Sequence, residues 1–160
     1  MISLDFLEKS NAFKGLNDDH LKAVQQCCQE KEFQRGEKVF GEGDDATHLC
    51  IVREGQVDLR FDLPGRPSSE INTVSSLTQG MTFQWSSLVP PHKTRLSSYC
   101  FSRSCIVVMA DRKQLMTLFE KDMRLGYLVM SNLAEIVGER FHTLQDEIAN
   151  RRGHEVMFNW

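Results

Sequence analysis

Residues 35–60 constrain the fold of this chain more than any other segment. They contain three short β-prone runs, at 38–40, 47–52 and 56–61, and glycine-bearing turns separate these runs at regular spacing. Short strands between glycine turns are typical of antiparallel β-structure, in which the chain reverses direction often. This segment therefore predicts strands that wrap a small barrel.

The turns and the later strands extend the same pattern. We interpret Glu54 and Gly55 as a hairpin turn between the second and third runs. Weaker strand signals follow at 70–77 and 96–99, and the continuous apolar run within 104–109 indicates a strand buried on both faces. The middle of the chain is thus predicted to be β-structure throughout.

Helical patterns flank these strands. Short helices are predicted at 3–9 and 17–30, and Asn17, Asp18 and Asp19 are the candidate N-caps of the second. At Asp111 the apolar period changes, and its carboxylate can cap a further helix. From Met123 to about Arg152 the spacing predicts one long helix that ends before Gly153.

The long helix carries apolar side chains on two faces. One face has Leu125, Leu128 and Val129, and the other is a seam with spacings of 4, 4, 3 and 4 through Leu133, Val137, Phe141, Leu144 and Ile148. A helix with two apolar faces buries one on its own domain and offers the other to a partner. We therefore expect a homodimer through residues 125–148. The alternative is that the seam folds back onto the barrel without a dimer.

Composition excludes several classes of function. The 160 residues have a net charge of −3, so the domain is not a globally basic nucleic-acid binder, and Arg151 with Arg152 is too small a patch to hold DNA. The few residues after 152 cannot form a helix-turn-helix module. No run approaches the roughly 18 apolar residues that span a bilayer, so we expect no membrane partner and a cytoplasmic location.

Catalytic and metal sites have little support. The chain has no Gly-x-Ser-x-Gly elbow, and of the five histidines only His48 lies on a predicted strand, whereas a barrel metalloenzyme needs several ligands there. The five cysteines have neither zinc-ribbon nor thioredoxin spacing, so we expect buried, reduced thiols. We predict no catalytic residues, no metal ligands and no enzymatic activity.

Residues 80–97, with the sequence GMTFQWSSLVPPHKTRLS, carry the most specific resemblance. Together with the strand order, they resemble the cyclic-nucleotide-binding domain of the catabolite activator and Fnr-like superfamily. That family's pattern is Gly, two residues, Phe-Gly-Glu, then a loop that ends in Arg-x-Ala. Gly80, Phe83 and Arg95 keep the register, and Lys93 could replace Arg95 because the loop varies in length.

The resemblance implies both a fold and a site. The fold is a double-stranded β-helix, a jelly-roll-like barrel with short N-terminal helices and a long C-terminal helix. The family binds the phosphate group of its ligand with backbone N–H groups and with the arginine of Arg-x-Ala. The glutamate of Phe-Gly-Glu accepts a hydrogen bond from the ribose hydroxyl. Here Trp85 replaces that glutamate and Gln84 the preceding glycine, and an indole has no acceptor. The ligand-binding candidates are Gly80, Phe83, Gln84, Trp85, Ser86, Ser87, Lys93, Thr94, Arg95 and Ser97.

This interpretation divides the chain into N-terminal helices (1–30), a ligand-sensing β-roll (31–110), C-terminal helices with the dimer helix (111–152) and a tail (153–160). We expect a regulatory sensor that binds a cyclic nucleotide or another small anion and that lacks the standard affinity for cyclic AMP. It signals through its C-terminal helix, and a partner protein is one candidate receiver of that signal.

The alternative is a ligand-free interaction module that acts through its dimer surface and tail. In that case Trp85 is a packed core residue, and Arg95 pairs with an acid such as Asp44 or Glu42.

Overall fold

Two four-stranded antiparallel sheets form the centre of the protein, in the strand orders β1-β8-β3-β6 and β2-β7-β4-β5. The computed structural model describes residues 1–158. The strands are β1 (Cys28–Gln34), β2 (Lys38–Phe40), β3 (His48–Glu54), β4 (Val57–Arg60), β5 (Thr73–Leu77), β6 (Thr82–Phe83), β7 (Ser97–Cys100) and β8 (Ser104–Asp111). The helices are α1 (Leu4–Lys9), α2 (Asp18–Gln26), α3 (Arg112–Lys121) and α4 (Met123–Phe158), with 3-10 turns at Glu70–Asn72 and Trp85–Leu88.

Strand β3 connects two hydrophobic cores. Leu49 and Ile51 pack with the helices, whereas Cys50 and Val52 pack in the interior between the sheets, and all four are fully buried. Successive side chains of a strand point to opposite faces. Because both faces of β3 are covered, its sequence is apolar without alternation. The predicted barrel with short N-terminal and long C-terminal helices is confirmed.

The predicted hairpin at Glu54 and Gly55 is wrong. Strand β3 pairs with β6 and β8, while β4 pairs with β5 and β7, so this turn carries the chain from one sheet to the other. Gly55 has a φ of +83°, and a Cβ there would lie 2.5 Å from the carbonyl oxygen of Ser104. Glycine is therefore required by both conformation and space.

Two predicted helix ends also differ from the structure. Helix α2, capped by Asn17, one of the three candidates, ends at Gln26 rather than at 30, since the chain from Cys28 onward pairs with β8. Tertiary strand pairing overrides the local helical pattern there. Helix α4 continues through Gly153, so the predicted tail is helical as far as Phe158, and its last two residues lie outside the described range.

The expectation of five reduced cysteines is wrong for one pair. A disulfide joins Cys100 and Cys105, whose side chains meet between β7 and β8 in the interior core. Cys27, Cys28 and Cys50 are free thiols, and burial, followed by the nearby Cys27, raises the pKa of Cys28 to about 12. A thiol with so high a pKa is protonated and unreactive at neutral pH. Among residues 1–158, no group of three or more His, Cys, Asp or Glu could hold a metal ion.

Helix α4 packs on the barrel through its first half. Leu125, Val129 and Leu133 are buried in the core that the helices share with β3 and β8, and Ile136 is also buried. Leu133, which the sequence pattern placed on the partner seam, therefore belongs to the barrel face instead. No helix within the described part of the chain is long and apolar enough to cross a membrane.

Two glycines of α4 provide a matched test of this packing. A Cβ on buried Gly126 would lie 2.9 Å from the Cβ of Phe119 in α3, whereas one on exposed Gly138 would contact nothing. We expect Gly126→Ala to destabilise the domain by roughly 1–3 kcal/mol through overpacking. Gly138→Ala should stabilise it by about 0.5–1 kcal/mol through helix propensity. Urea denaturation measures both, and equal effects would contradict the close contact of α3 with α4.

Candidate functional site

A cavity of about 390 Å³ lies between the barrel and the second half of α4. We call it the α4 cavity, and its size falls within the range of small-molecule sites. Strand β4, the loop before β7 and the 3-10 turn Trp85–Leu88 form the barrel side, and α4 forms the other. Its lining residues are Leu59, Phe61, Val74, Ser75, Gln84, Trp85, Ser86, Arg95, Leu96, Val137, Arg140, Phe141, Thr143, Leu144 and Glu147.

Gln84 begins the 3-10 turn in a left-handed conformation, with a φ of 60°. Residues other than glycine rarely adopt this conformation, so the position retains the backbone geometry for which glycine is suited. The Gln84 side chain donates a 3.0 Å hydrogen bond from Nε2 to Thr94 Oγ1, and both residues are buried. This bond ties the start of the turn to the loop before β7.

Trp85 follows Gln84 and is half-buried. Its indole packs against the hydrophobic core that the helices share with β3 and β8, and it also lines the α4 cavity. The ring is therefore partly buried and partly accessible from the cavity. Glu147 is the one carboxylate among the lining residues of the described chain. It is exposed and lies two helical turns beyond Arg140, at the outer end of the cavity.

The structure separates the two candidate cations of the loop. Lys93 lies outside the α4 cavity, where its Nζ is 2.9 Å from Asp45 Oδ1. Arg95 lines the cavity, and no carboxylate within residues 1–158 forms an ion pair with it. The hypothesised pairing of Arg95 with Asp44 or Glu42 is therefore wrong, because Asp44 instead accepts the backbone N–H of Gly41 at 2.9 Å.

Four of the ten sequence-predicted residues line the cavity together: Gln84, Trp85, Ser86 and Arg95. Ser97 is engaged elsewhere, since its hydroxyl donates to Asp62 and accepts the backbone N–H of Glu42. Phe83 is part of the interior core. The predicted residues that the structure places outside the cavity wall are Gly80, Phe83, Ser87, Lys93, Thr94 and Ser97.

Sequence reasoning named no residue of α4 as a ligand contact. Arg140 is half-buried at the cavity, and its Nη2 donates a hydrogen bond to the backbone carbonyl of Thr82 in β6. Burial lowers the pKa of Arg140 to about 10, while the neighbouring Glu139 acts in the opposite direction. The guanidinium therefore stays charged at neutral pH. A cation directly before Phe141 of the apolar seam was the available signal.

The fold and the site together define a class of protein. An antiparallel β-roll, a short turn that opens at a left-handed residue, a cation from the following loop and a long helix over the cavity are the arrangement of cyclic-nucleotide-binding sensors. The family model for the cyclic nucleotide-binding domain matches residues 30–122, which is more than half of the chain. The chain belongs to this family, whose fold is typical of regulatory sensors.

Solved structures share this fold. A candidate cyclic nucleotide-binding protein of Geobacter metallireducens GS-15 is 30% identical to this chain, with a TM-score of 0.75. The match covers 89% of this chain and 100% of that one. A cyclic nucleotide-binding domain of Methylobacillus flagellatus KT is 20% identical (TM-score 0.76; 92% and 81% covered). The Thermus thermophilus catabolite activator protein is 22% identical (TM-score 0.70; 89% and 63% covered).

A curated relative is longer. Glutaminase 1 of Bradyrhizobium diazoefficiens is 26% identical over 143 residues, which cover 86% of this chain and 22% of that enzyme. This chain thus spans about a fifth of its length.

Exchanging Trp85 tests the prediction that it stands in the place of a sugar-binding acceptor. If it does, Trp85→Glu restores the carboxylate of the family pattern, and we expect cyclic AMP binding to become measurable by calorimetry. Trp85→Gln is the matched control, of similar size but without the charge, and it should give no such gain. Thermal melts must first show that both variants fold. If folded Trp85→Glu binds no better than Trp85→Gln, the frame around this position no longer suits a cyclic nucleotide.

Proposed function

We propose that this domain is a ligand-sensing regulatory module. A small organic anion enters the α4 cavity between the 3-10 turn and α4, and its binding changes the position of α4. The observation that carries the proposal is Arg95, a guanidinium on the wall of a cavity with no carboxylate of the described chain paired to it. An unpaired guanidinium beside a cavity favours an anionic ligand, because its planar fork binds carboxylate and phosphate.

The ligand need not be cyclic AMP. Trp85 offers one donor and no acceptor, so the ribose hydroxyl would lose its partner on the barrel side. A site without that partner loses most of its preference for the sugar. We therefore propose a cyclic nucleotide bound more weakly than is standard for the family, or another small anion, as the ligand.

Signalling through α4 follows from the two parts of that helix. Its first half is fixed in the core, whereas the second half, from Val137 to Glu147, forms a wall of the α4 cavity. A ligand that contacts both this wall and the barrel binds with a free energy that depends on the position of α4. That difference is what a ligand requires to shift a conformational equilibrium.

A second copy of the chain is our proposed partner for an apolar stripe along α4, of which Val137, Phe141 and Leu144 also border the α4 cavity. Tyr127 is 72% exposed and Ile148 is 53% exposed, although both are large, mainly hydrophobic side chains. They belong to a stripe with alternating intervals of four and three residues, the spacing of a coiled-coil seam. The stripe consists of Met123, Tyr127, Met130, Ala134, Val137, Phe141, Leu144 and Ile148.

A charge on this stripe should disrupt the dimer. We expect Ile148→Glu to convert the protein to a monomer, since like charges would meet at the seam. Asn150→Glu adds the same charge at an exposed position on the opposite side of the helix, and it should leave the dimer intact. Sedimentation velocity measures both. A wild-type monomer at high concentration would show that the stripe has another role.

The output of the proposed sensor is a partner protein or a linked domain rather than DNA. Domains of this family are usually non-enzymatic regulators, and we propose no catalytic activity here. The glutaminase relative is consistent with a sensor that acts on an enzyme. We also propose a cytoplasmic location, against which the Cys100–Cys105 disulfide is the main counter-argument, since such bonds are rare in the cytosol.

A ligand-free interaction module is the second candidate function. The observation in its favour is that Gln84 donates one of its amide N–H groups to Thr94 at the start of the 3-10 turn, which takes that donor away from an anion. Its interaction surface would be the stripe on α4 and the helical tail with exposed Met157. Trp160, the other proposed tail contact, lies outside the described residues.

Arg95 and Lys93 give the test that separates these functions. Calorimetry and tryptophan fluorescence with cyclic AMP, cyclic GMP and small organic acids should identify at least one binder. Arg95→Gln should then weaken its binding by at least about tenfold, through loss of a charge-assisted hydrogen bond. Lys93→Gln removes an exposed charge outside the cavity, and it should change affinity by less than about twofold. A complete lack of binding by these anions, with an insensitive Trp85 signal, would favour the ligand-free module.

A further inference from the structure

Arg140 on α4 has more hydrogen-bonding capacity than its surroundings use. A guanidinium carries five N–H donors. The carbonyl of Thr82 is the acceptor that residues 1–158 provide, and no carboxylate among them lies within ion-pair distance of Arg140. A half-buried charge without a counter-ion is unfavourable unless something else compensates it. The most buried cation of the α4 cavity is therefore also available to an anion.

The cavity around Arg140 is otherwise mainly apolar. Eight of its fifteen lining side chains are apolar or aromatic. Three of these are aromatic rings, Phe61 and Trp85 on the barrel side and Phe141 on the helix. Aromatic rings favour flat apolar partners in offset or edge-to-face contact. The wall thus suits a flat apolar body better than a sugar.

The polar side chains of the wall give little support for a hydroxyl-rich ligand. Gln84 is bonded to Thr94, and the Thr143 hydroxyl donates to the Glu139 carbonyl at 3.1 Å. Ser75 and Ser86 remain as small hydroxyls, and exposed Glu147 lies at the outer end. Charge recognition in this cavity therefore depends on the two guanidinium groups.

We propose that Arg140 is the helix-side anion contact and that the ligand is an organic acid with an aromatic body. This inference rests on the proposed function and specifies the chemistry of its ligand. The acidic group binds Arg140 from the helix as well as Arg95 from the barrel, and the aromatic body packs among Phe61, Trp85 and Phe141. Since a charged acceptor binds a guanidinium more strongly than a neutral carbonyl does, the acid competes with Thr82 for Arg140.

Three probes separate the charge of the ligand from its body. Phenylpropionate has both, phenylpropionamide has the same body without the charge, and acetate has the charge without the body. Calorimetry on the full chain should show binding of phenylpropionate, with both other probes weaker by at least about tenfold. Cyclic AMP is titrated in parallel.

Arg140→Gln is the decisive variant, and Arg124→Gln is its control, an exposed arginine of the same helix outside the cavity. Arg140→Gln should weaken phenylpropionate by at least about tenfold and reduce the preference for the acid over the amide by a similar factor, since Arg95 alone then contacts the acid. Arg124→Gln should change neither by more than about twofold. The acid-over-amide ratio distinguishes an anion contact from a purely structural bond to Thr82, which would leave that ratio unchanged.

The outcomes also separate this inference from the proposed function. If phenylpropionate does not bind but cyclic AMP or another anion binds through Arg95, the aromatic-acid assignment is overturned and the sensor proposal stands. If Arg140→Gln leaves the preference for the acid over the amide unchanged, the role of Arg140 is overturned. If no anion binds the folded wild-type chain, both proposals fail.

Discussion

The packing of one helix against the barrel is the constraint on which the rest of this structure depends. The first half of α4 is held in the core by Leu125, Val129 and Leu133, and Asn132 donates to the backbone carbonyl of Ala12 at 3.0 Å. These contacts fix the direction in which the helix leaves the barrel. The segment from Val137 to Glu147 then lines the α4 cavity together with the 3-10 turn. The position of the helix thus determines the shape of the site.

The charges around this cavity are the reason why we propose an anion as its occupant. Arg95 and Arg140 face it from the barrel and the helix, and the described chain pairs neither with a carboxylate. Some of the barrel's other polar groups near the turn are bonded to one another, as with Gln84 and Thr94 or Ser97 and Asp62. A bound acid would supply the missing counter-charge to both elements at once. Such a ligand would connect the barrel to a helix whose apolar stripe suits a second copy.

Local patterns were sufficient for the order of elements and for part of the site. Asn17, one of three candidates, caps α2, and Asp111 caps α3 as predicted, because a cap requires only a side chain and a backbone N–H three residues away. Arg95 was placed at the pocket by counting along the family motif. The motif could not show that Ser97 bonds Asp62, since that contact joins residues far apart in sequence. Arg140 was missed for the same reason, as it reaches the site from a distant helix.

The amino-acid pattern alone indicated glycine-separated strands and a long helix with two apolar faces, and it predicted an indole in the place of the family's carboxylate. These properties are local, because periodicity, turn chemistry and residue identity can be recognised within a few neighbouring positions. Only the folded chain decided that Gly55 joins two sheets, that Leu133 faces the barrel and that Arg140 shares a cavity with Arg95. Those facts depend on which distant segments pair and pack, and burial energy selects such contacts only when the whole domain is assembled.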